Sequence, residues 1–218
     1  MSRQLRWPAS PAEFNALSLP VDAVVLSASW WNLRWAAHLT PATLFHASLS
    51  GRLTPESGSV KCLYLAENPA TSFAELYGDD IAAAREAGAT FTLAQQDMVD
   101  RVFAESPPGI SLRLYDLTTE GSAKRIGIDL ATLYTTEVER PRRFAQRLHD
   151  HPEKFDGARY ISRHTQRPCI VVWPTYTPAL TTLSLARNST LWDHAFFSSA
   201  SGPGFINLFG DTVGVAAP

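Results

Sequence analysis

Cysteine is scarce in this sequence: Cys62 and Cys169 are the two in 218 residues. Both fall in short apolar stretches that read as buried strands, where cysteine serves as a small hydrophobe. A disulfide framework is therefore excluded, and a reducing compartment fits. A charge excess is missing too, with 19 Lys+Arg against 21 Asp+Glu and a net charge of −2. The first 109 residues carry 7 basic and 11 acidic groups, the remainder 12 and 10. Neither half is basic enough to make nucleic acid the main partner. No long hydrophobic run exists. The most apolar stretch, 19–39, is interrupted by Asp22, Asn32, Arg34 and His38, and its clean apolar core falls short of the ~20 residues a membrane span needs. Nor is it a signal peptide, because Pro8, Pro11 and Glu13 separate Arg3 and Arg6 from it. A cytoplasmic protein with no membrane partner is expected.

Glycine-rich phosphate loops are absent as well. There is no G-x-G-x-x-G, and no Lys-Ser/Thr follows Gly58 in the stretch from Gly51. A dinucleotide would have to be held outside a Rossmann frame. His149 and His151 flank Asp150 but do not face each other on a helix, and no ligand set is spaced for a metal. A G-x-S-x-G elbow is also lacking.

What is present is organised around residues 43–87. An apolar run from Thr43 to Ser48 leads into a turn-rich loop with Arg52. Cys62-Leu63-Tyr64-Leu65-Ala66 follows as a compact strand pattern. After Asn68-Pro69 the pattern becomes helical, with Ala70, Phe73, Ala74 and Tyr77 on one face. Pro69 suits a first helical turn, where its missing N–H would be unpaired anyway. Arg before the strand, Tyr on it and Glu75 on the helix are groups that a purely apolar unit does not need. A site for an anionic ligand with a reacting centre does.

Hydrophobic content of 45% and this length allow one domain with a sizeable core, or a domain with an extension. The boundary is set at 42, with residues 1–42 as an N-terminal extension and 43–218 as the domain. Residues 24–37 read as a helix in which Trp31 and Trp35, four apart, share a side. These indoles fill the core or, with Trp30, form a surface for a second copy or another partner. Residues 79–106 mix helical patterns with acidic residues. Ser111 to Leu117 alternates as a strand, 137–150 reads as a helix, and Arg159 to His164 and Cys169 to Trp173 form two strands, arranged as a hairpin. The tail from 174 is polar and rich in turn residues. Helices and short strands without regular βαβ alternation indicate an α+β fold.

Several side chains carry two readings each. Arg52 is either a solvated loop residue or a clamp for phosphate oxygens. Tyr64 shares a face with Cys62 and Ala66. It is a core residue, or a platform for a cationic ring. Tyr115 and Tyr77 are weaker candidates of that kind. Glu75 is a solvated helical residue or a catalytic carboxylate. Ser162 and His164 share a strand face, which suggests a Ser-His hydrolase, but no orienting acid is evident. Arg163 points to the opposite face and reads as structural.

The ordered set "GRLTP…CLYLAENPATSFAELYGD", "LRLYDLT", "GIDL", "RRFAQRLH" and "FDGARYISRH" resembles the RES-domain family over roughly residues 43–173. That family supplies the toxins of RES–Xre toxin–antitoxin pairs. The resemblance implies an ADP-ribosyltransferase-like fold with a split, curved sheet around a dinucleotide cleft. It implies consumption of NAD+ by cleavage of the nicotinamide–ribose bond, with phosphate, water or a protein side chain as acceptor, and no metal. It implies an Xre-like antitoxin as partner. By the same resemblance Arg52 matches the family's loop Arg, and Glu75 its acidic residue, eleven positions after Tyr64. Tyr64 and Tyr115 would then contact the cofactor, and Ser162 matches the Ser of "YxSR" as a second catalytic residue. His46 would join Arg52 on the pyrophosphate, but it stands where many members carry a strand Arg. That departure keeps a non-catalytic nucleotide-binding module open as an alternative, with the Ser hydrolase third.

Overall fold

The structure is a computed structural model and describes residues 10–25, 30–46, 51–128, 130–134, 138–181, 183–191 and 214–215. Its strands are β1 (Asp22–Val25), β2 (Trp31–Trp35), β3 (Leu63–Ala66), β4 (Thr92–Leu93), β5 (Arg101–Glu105), β6 (Ser111–Asp116), β7 (Gly157–Ile161), β8 (Pro168–Val172), β9 (Ala186–Thr190) and β10 (Gly214–Val215). The helices are α1 (Pro11–Asn15), α2 (Pro41–Leu44), α3 (Pro69–Glu86), α4 (Gln95–Asp100), α5 (Glu120–Arg125), α6 (Leu130–Tyr134), α7 (Glu139–His149) and α8 (Pro178–Thr181). Eight strands form one sheet in the order β1-β6-β7-β8-β3-β2-β5-β9. Only the β6–β7 pair within it is parallel, and helices α5 to α7 fill that crossover. This is the expected α+β class.

Strand alternation divides the core. Cys62 and Tyr64 turn toward one cluster, with Tyr115, Phe144, Val171 and Trp173. Leu63 and Leu65 turn the other way, toward Leu112, Leu114, Ile170 and Val172. Helix α3 places Phe73, Tyr77 and Ile81 against Leu33 of β2 and Phe103 of β5. It starts where the sequence indicated. Asn68 caps it by accepting the Thr71 N–H at 2.8 Å, and Pro69 fills its first position.

The expected helix over 24–37 is overturned: this stretch contributes β1 and β2. A spacing of four satisfies a strand period of two as well as a helical turn, so Trp31 and Trp35 share a side in either case. Val24, Val25 and the Trp residues prefer a pleated, half-buried surface, and pairing with β5 and β6 decides the outcome. Strand β2 lies inside the sheet, between β3 and β5. Trp30 is buried with Leu65 and Leu114 in the second cluster. Trp31 and Trp35 remain half-buried, and the Arg101 guanidinium stacks over Trp35 at 4.2 Å.

The sheet holds together unevenly. Strands β2 and β3 share one register pair, Trp31↔Ala66. Beyond it they diverge, and Asn32 spans the gap by donating from Nδ2 to the Tyr64 carbonyl at 2.8 Å. A cavity opens at this split. The expected hairpin is present as β7–β8, turning through residues 162–167, with Gln166 at φ 56°. No helix among the described residues is long and apolar enough to cross a membrane.

Candidate functional site

The cavity has a volume of about 920 Å³ and is lined by Arg34, His46, Arg52, Tyr64, Glu75 and Tyr160, among others. That size suits a small organic ligand or cofactor. Register explains its floor. Tyr160 pairs with Cys169 across β7–β8, and Cys169 pairs with Ala66 across β8–β3. These three side chains form a row on one face. Two of them are small, which leaves room above the sheet.

Glu75 reaches in from the second turn of α3. Both carboxylate oxygens are engaged: Tyr160 donates its hydroxyl to Oε2 at 2.8 Å, and Ser162 donates to Oε1 at 2.6 Å. Burial, followed by the Glu75 charge, raises the Tyr160 pKa well above that of an ordinary phenol. Its proton therefore stays on the oxygen. Ser162 is fully buried. Its Oγ also accepts the backbone N–H groups of His164 and Thr165, at 3.3 and 3.4 Å. Ser162 therefore braces Glu75 from behind and is not among the residues that line the cavity. The result is a fixed negative group at the cavity wall, oriented by two hydroxyls.

Arg52 sits on the loop facing it. The loop is held by Tyr64, whose hydroxyl accepts the Leu53 N–H at 3.1 Å and bonds Thr54 Oγ1 at 3.1 Å. Gly51 is required for this approach, since a Cβ there would lie 2.6 Å from the Tyr64 hydroxyl and 2.5 Å from Thr54 Oγ1. One guanidinium nitrogen of Arg52, Nη1, is buried without a partner. Burial and then Arg163 lower the Arg52 pKa, while Asp79, Glu75 and Tyr160 raise it. The loop cation and the helical carboxylates thus share one electrostatic neighbourhood.

Arg163 departs from its expected structural role on the opposite face. β7 ends at Ile161, so strict alternation no longer applies, and Arg163 turns to pair with Asp79 at the cavity wall. Burial lowers the His164 pKa. The neutral ring accepts from Arg163 Nε at 3.3 Å, so its 3.6 Å separation from Asp79 is not an ion pair. Since Ser162 meets the His164 backbone and not its ring, the Ser-His hydrolase arrangement is not assembled.

His46 lines the cavity where the strand cation was expected. It forms an isolated bridge with Cys62. Burial, then the charges of Arg34 and His38, lower its pKa, so it is a neutral donor near pH 7. Tyr115 is corrected. Its hydroxyl donates to the Ser122 carbonyl at 2.7 Å, and its ring packs on Phe144 and Phe155. It lies three strands from Tyr64 in the sheet order, roughly 14 Å at the usual strand spacing. Tyr77 packs on Phe73 under α3. His149 and His151 diverge. The first bonds Asp150 and Thr175, and the second packs edge-on to Phe14.

Four contributors were missed from sequence: Tyr160, Asp79, Asn32 and Arg34. Tyr160 precedes Ser162 by two, which places both on one strand face, and Asp79 follows Glu75 by four, one helical turn. Those signals were readable. Asn32 and Arg34 were hidden by the helical reading of 24–37.

The sequence profile of the RES domain matches residues 9–193. The chain belongs to the RES-domain family. Its fold is similar to that of a chain in the crystal structure of the M. tuberculosis MbcT–MbcA toxin–antitoxin complex. The TM-score is 0.50 and the identity 18%, covering 76% of this chain and 84% of that one. A search of the curated proteins finds no match. The RES match begins at residue 9, well before the boundary at 42 expected from sequence, in agreement with β1 and β2 belonging to the sheet.

Proposed function

We propose that this RES protein is the toxin of a toxin–antitoxin pair and consumes NAD+ by breaking the nicotinamide–ribose bond. The observation that carries the reading is Glu75, held by Tyr160 and Ser162 at the wall of a cavity that also presents Arg52. Cleavage sends the bonding electron pair to the ring nitrogen, which leaves as neutral nicotinamide. The ribose is left as an oxocarbenium ion. A carboxylate fixed beside it stabilises that charge more than it stabilises the ground state. The acceptor's lone pair then bonds to the anomeric carbon: water or a protein side chain releases a proton to solvent as it does so, and a phosphate anion adds with its own negative charge. Arg52 would hold the pyrophosphate, and Tyr64 would present its ring to nicotinamide while its hydroxyl fixes the Arg52 loop. Asp79 engages Arg163 at the cavity wall, while Tyr160 and Ser162 hold Glu75. The partner is an Xre-like antitoxin that covers the cleft, in keeping with the family and with the neighbour's toxin–antitoxin complex.

The neutral state of His46 favours a second reading, a nucleotide-binding module without turnover. Incubating purified protein with NAD+ and following products by mass separates the two. Release of nicotinamide, lost in Glu75→Gln, supports the first. Binding without product, with water, phosphate and protein acceptors all supplied, supports the second.

A further inference from the structure

Arg34 is only 5% exposed, yet it meets no carboxylate among the described residues. Its Nη2 donates to the carbonyls of Thr43 and Leu44, at 3.2 and 3.0 Å. Its Nε and Nη1 are buried without any partner. Desolvation alone pushes its pKa down, to about 10, so the group is still a cation at neutral pH. A buried cation without a counter-charge is costly, and buried charges are ordinarily paired. The residue is not sealed in the core, because it lines the cavity at the split between β2 and β3.

No carboxylate acts on its neighbour His46, whose pKa is lowered by burial and then by Arg34 and His38, and Lys61 lines the same cavity. The charges that act on Arg52 are a different group, namely Arg163, Asp79, Glu75 and Tyr160. One cavity therefore contains two cationic centres with separate neighbours. The carboxylates belong to only one of them.

We propose that Arg34 is the core of a second anion subsite, which takes a phosphate group of the ligand apart from the contact made by Arg52. This rests on the nucleotide reading given above for the identity of that ligand. The cation expected at His46 is supplied instead from β2, one strand away, because the sheet splits there and lets Arg34 reach the cavity. A phosphate oxygen gives Nε and Nη1 the acceptors they lack, and its charge offsets the desolvated guanidinium. The phosphate can come from the pyrophosphate of a dinucleotide, from a 2′-phosphate on its adenosine ribose, or from free inorganic phosphate.

The test is equilibrium binding of ADP-ribose, 2′-phospho-ADP-ribose, inorganic phosphate and adenosine to the parent chain, Arg34→Met and Arg34→Lys. Arg34→Met is expected to weaken at least one phosphate-bearing ligand about tenfold or more while leaving adenosine unchanged. The ligand most affected identifies the source of the phosphate. Salt dependence should also flatten for that ligand, since one phosphate contact is gone. Should Arg34→Met fail to fold without its two carbonyl contacts, Arg34→Lys decides: it keeps the charge, loses donors, and should bind the same ligand at least about threefold more weakly. Affinities equal to the parent for all three phosphate ligands would overturn the subsite. A parent that binds neither ADP-ribose nor 2′-phospho-ADP-ribose removes the nucleotide reading, and the subsite then survives only if Arg34 governs inorganic phosphate. A parent that binds ADP-ribose, with both variants unaltered, removes the subsite alone.

Discussion

The ring of His164 occupies the space that a side chain at Gly78 would need: a Cβ there would lie 2.5 Å from its Nδ1. Glycine inside a helix ordinarily costs about 1 kcal/mol relative to alanine. Here the backbone of α3 needs that absence, because it brings the 162–167 turn close enough for Ser162 to reach Glu75. Gly78→Ala should therefore lower the melting temperature despite its better helix propensity. His164→Ala in the same chain should restore most of the loss. Thermal melts of the two single variants and the double variant check this, and additive losses would contradict it.

Glu75→Gln keeps the shape of the side chain and removes its charge. Loss of one electrostatic contact to a transition state typically costs 10²–10³ in rate, or ~2.7–4 kcal/mol. Nicotinamide release should fall by at least about a hundredfold on that basis, with melting temperature and ADP-ribose binding near those of the parent. Near-parental turnover would remove Glu75 from the chemistry.

Ser162→Ala tests bracing against direct participation. The variant leaves one Glu75 oxygen and two backbone N–H groups short of a partner, and should cost about 1–3 kcal/mol of stability. Turnover should drop while the Michaelis constant changes little. In a Glu75→Gln background the same substitution should have almost no further effect on rate, because residues acting through one another are not additive. A full additional rate loss in the double variant would mean that Ser162 acts independently.

Tyr64→Phe separates two roles of one ring. If the ring face alone matters, the variant binds like the parent. The hydroxyl also fixes Leu53 and Thr54, beside Arg52, so we expect ADP-ribose to bind about tenfold more weakly, equivalent to ~1.4 kcal/mol. Calorimetric titration of both proteins gives the answer.

Acid should destabilise the fold through its histidines. His151 is 2% exposed, and burial lowers its pKa below the ordinary 6.5 despite Glu153 nearby. A base whose pKa is lower in the folded state has its full stability above pH 6.5 and loses it as the pH falls through the folded value. His151→Gln keeps an acceptor for the Glu153 N–H without titrating. Its melting temperature should decline less steeply than the parent's below pH 6.5. Identical slopes would assign the acid sensitivity elsewhere.

Legibility followed the length over which a pattern runs. Helix α3 was readable from Asn68, Pro69 and its apolar spacing, and the β7–β8 hairpin from two apolar runs around a turn. Glu75, Arg52 and Tyr64 do meet at one cavity. β5 and β9 were not foreseen, because each is a five-residue strand whose neighbours come from distant parts of the chain. Tyr115 was misjudged because a strand aromatic looks the same whether it faces a cleft or a helix such as α7. Arg34 could not be found while its segment was read as helical, since its importance comes from the divergence of two strands and not from its neighbours in sequence.

That divergence has a thermodynamic consequence. Strands β2, β5 and β9 form a three-strand leaf, fastened to the five-strand leaf by the Trp31↔Ala66 pair and the Asn32 side chain, with α3 lying across the junction. Arg34 belongs to the smaller leaf, while Tyr64, Tyr160 and the Arg52 loop belong to the larger. A ligand gripped by both acts as a removable cross-link between them. Its occupancy should raise the protection of β2 and β3 amides against hydrogen exchange together, by as much as ~2.7 kcal/mol at a hundredfold excess over its dissociation constant. For such a protein, the supply of its ligand is also a control on how firmly its two leaves stay closed.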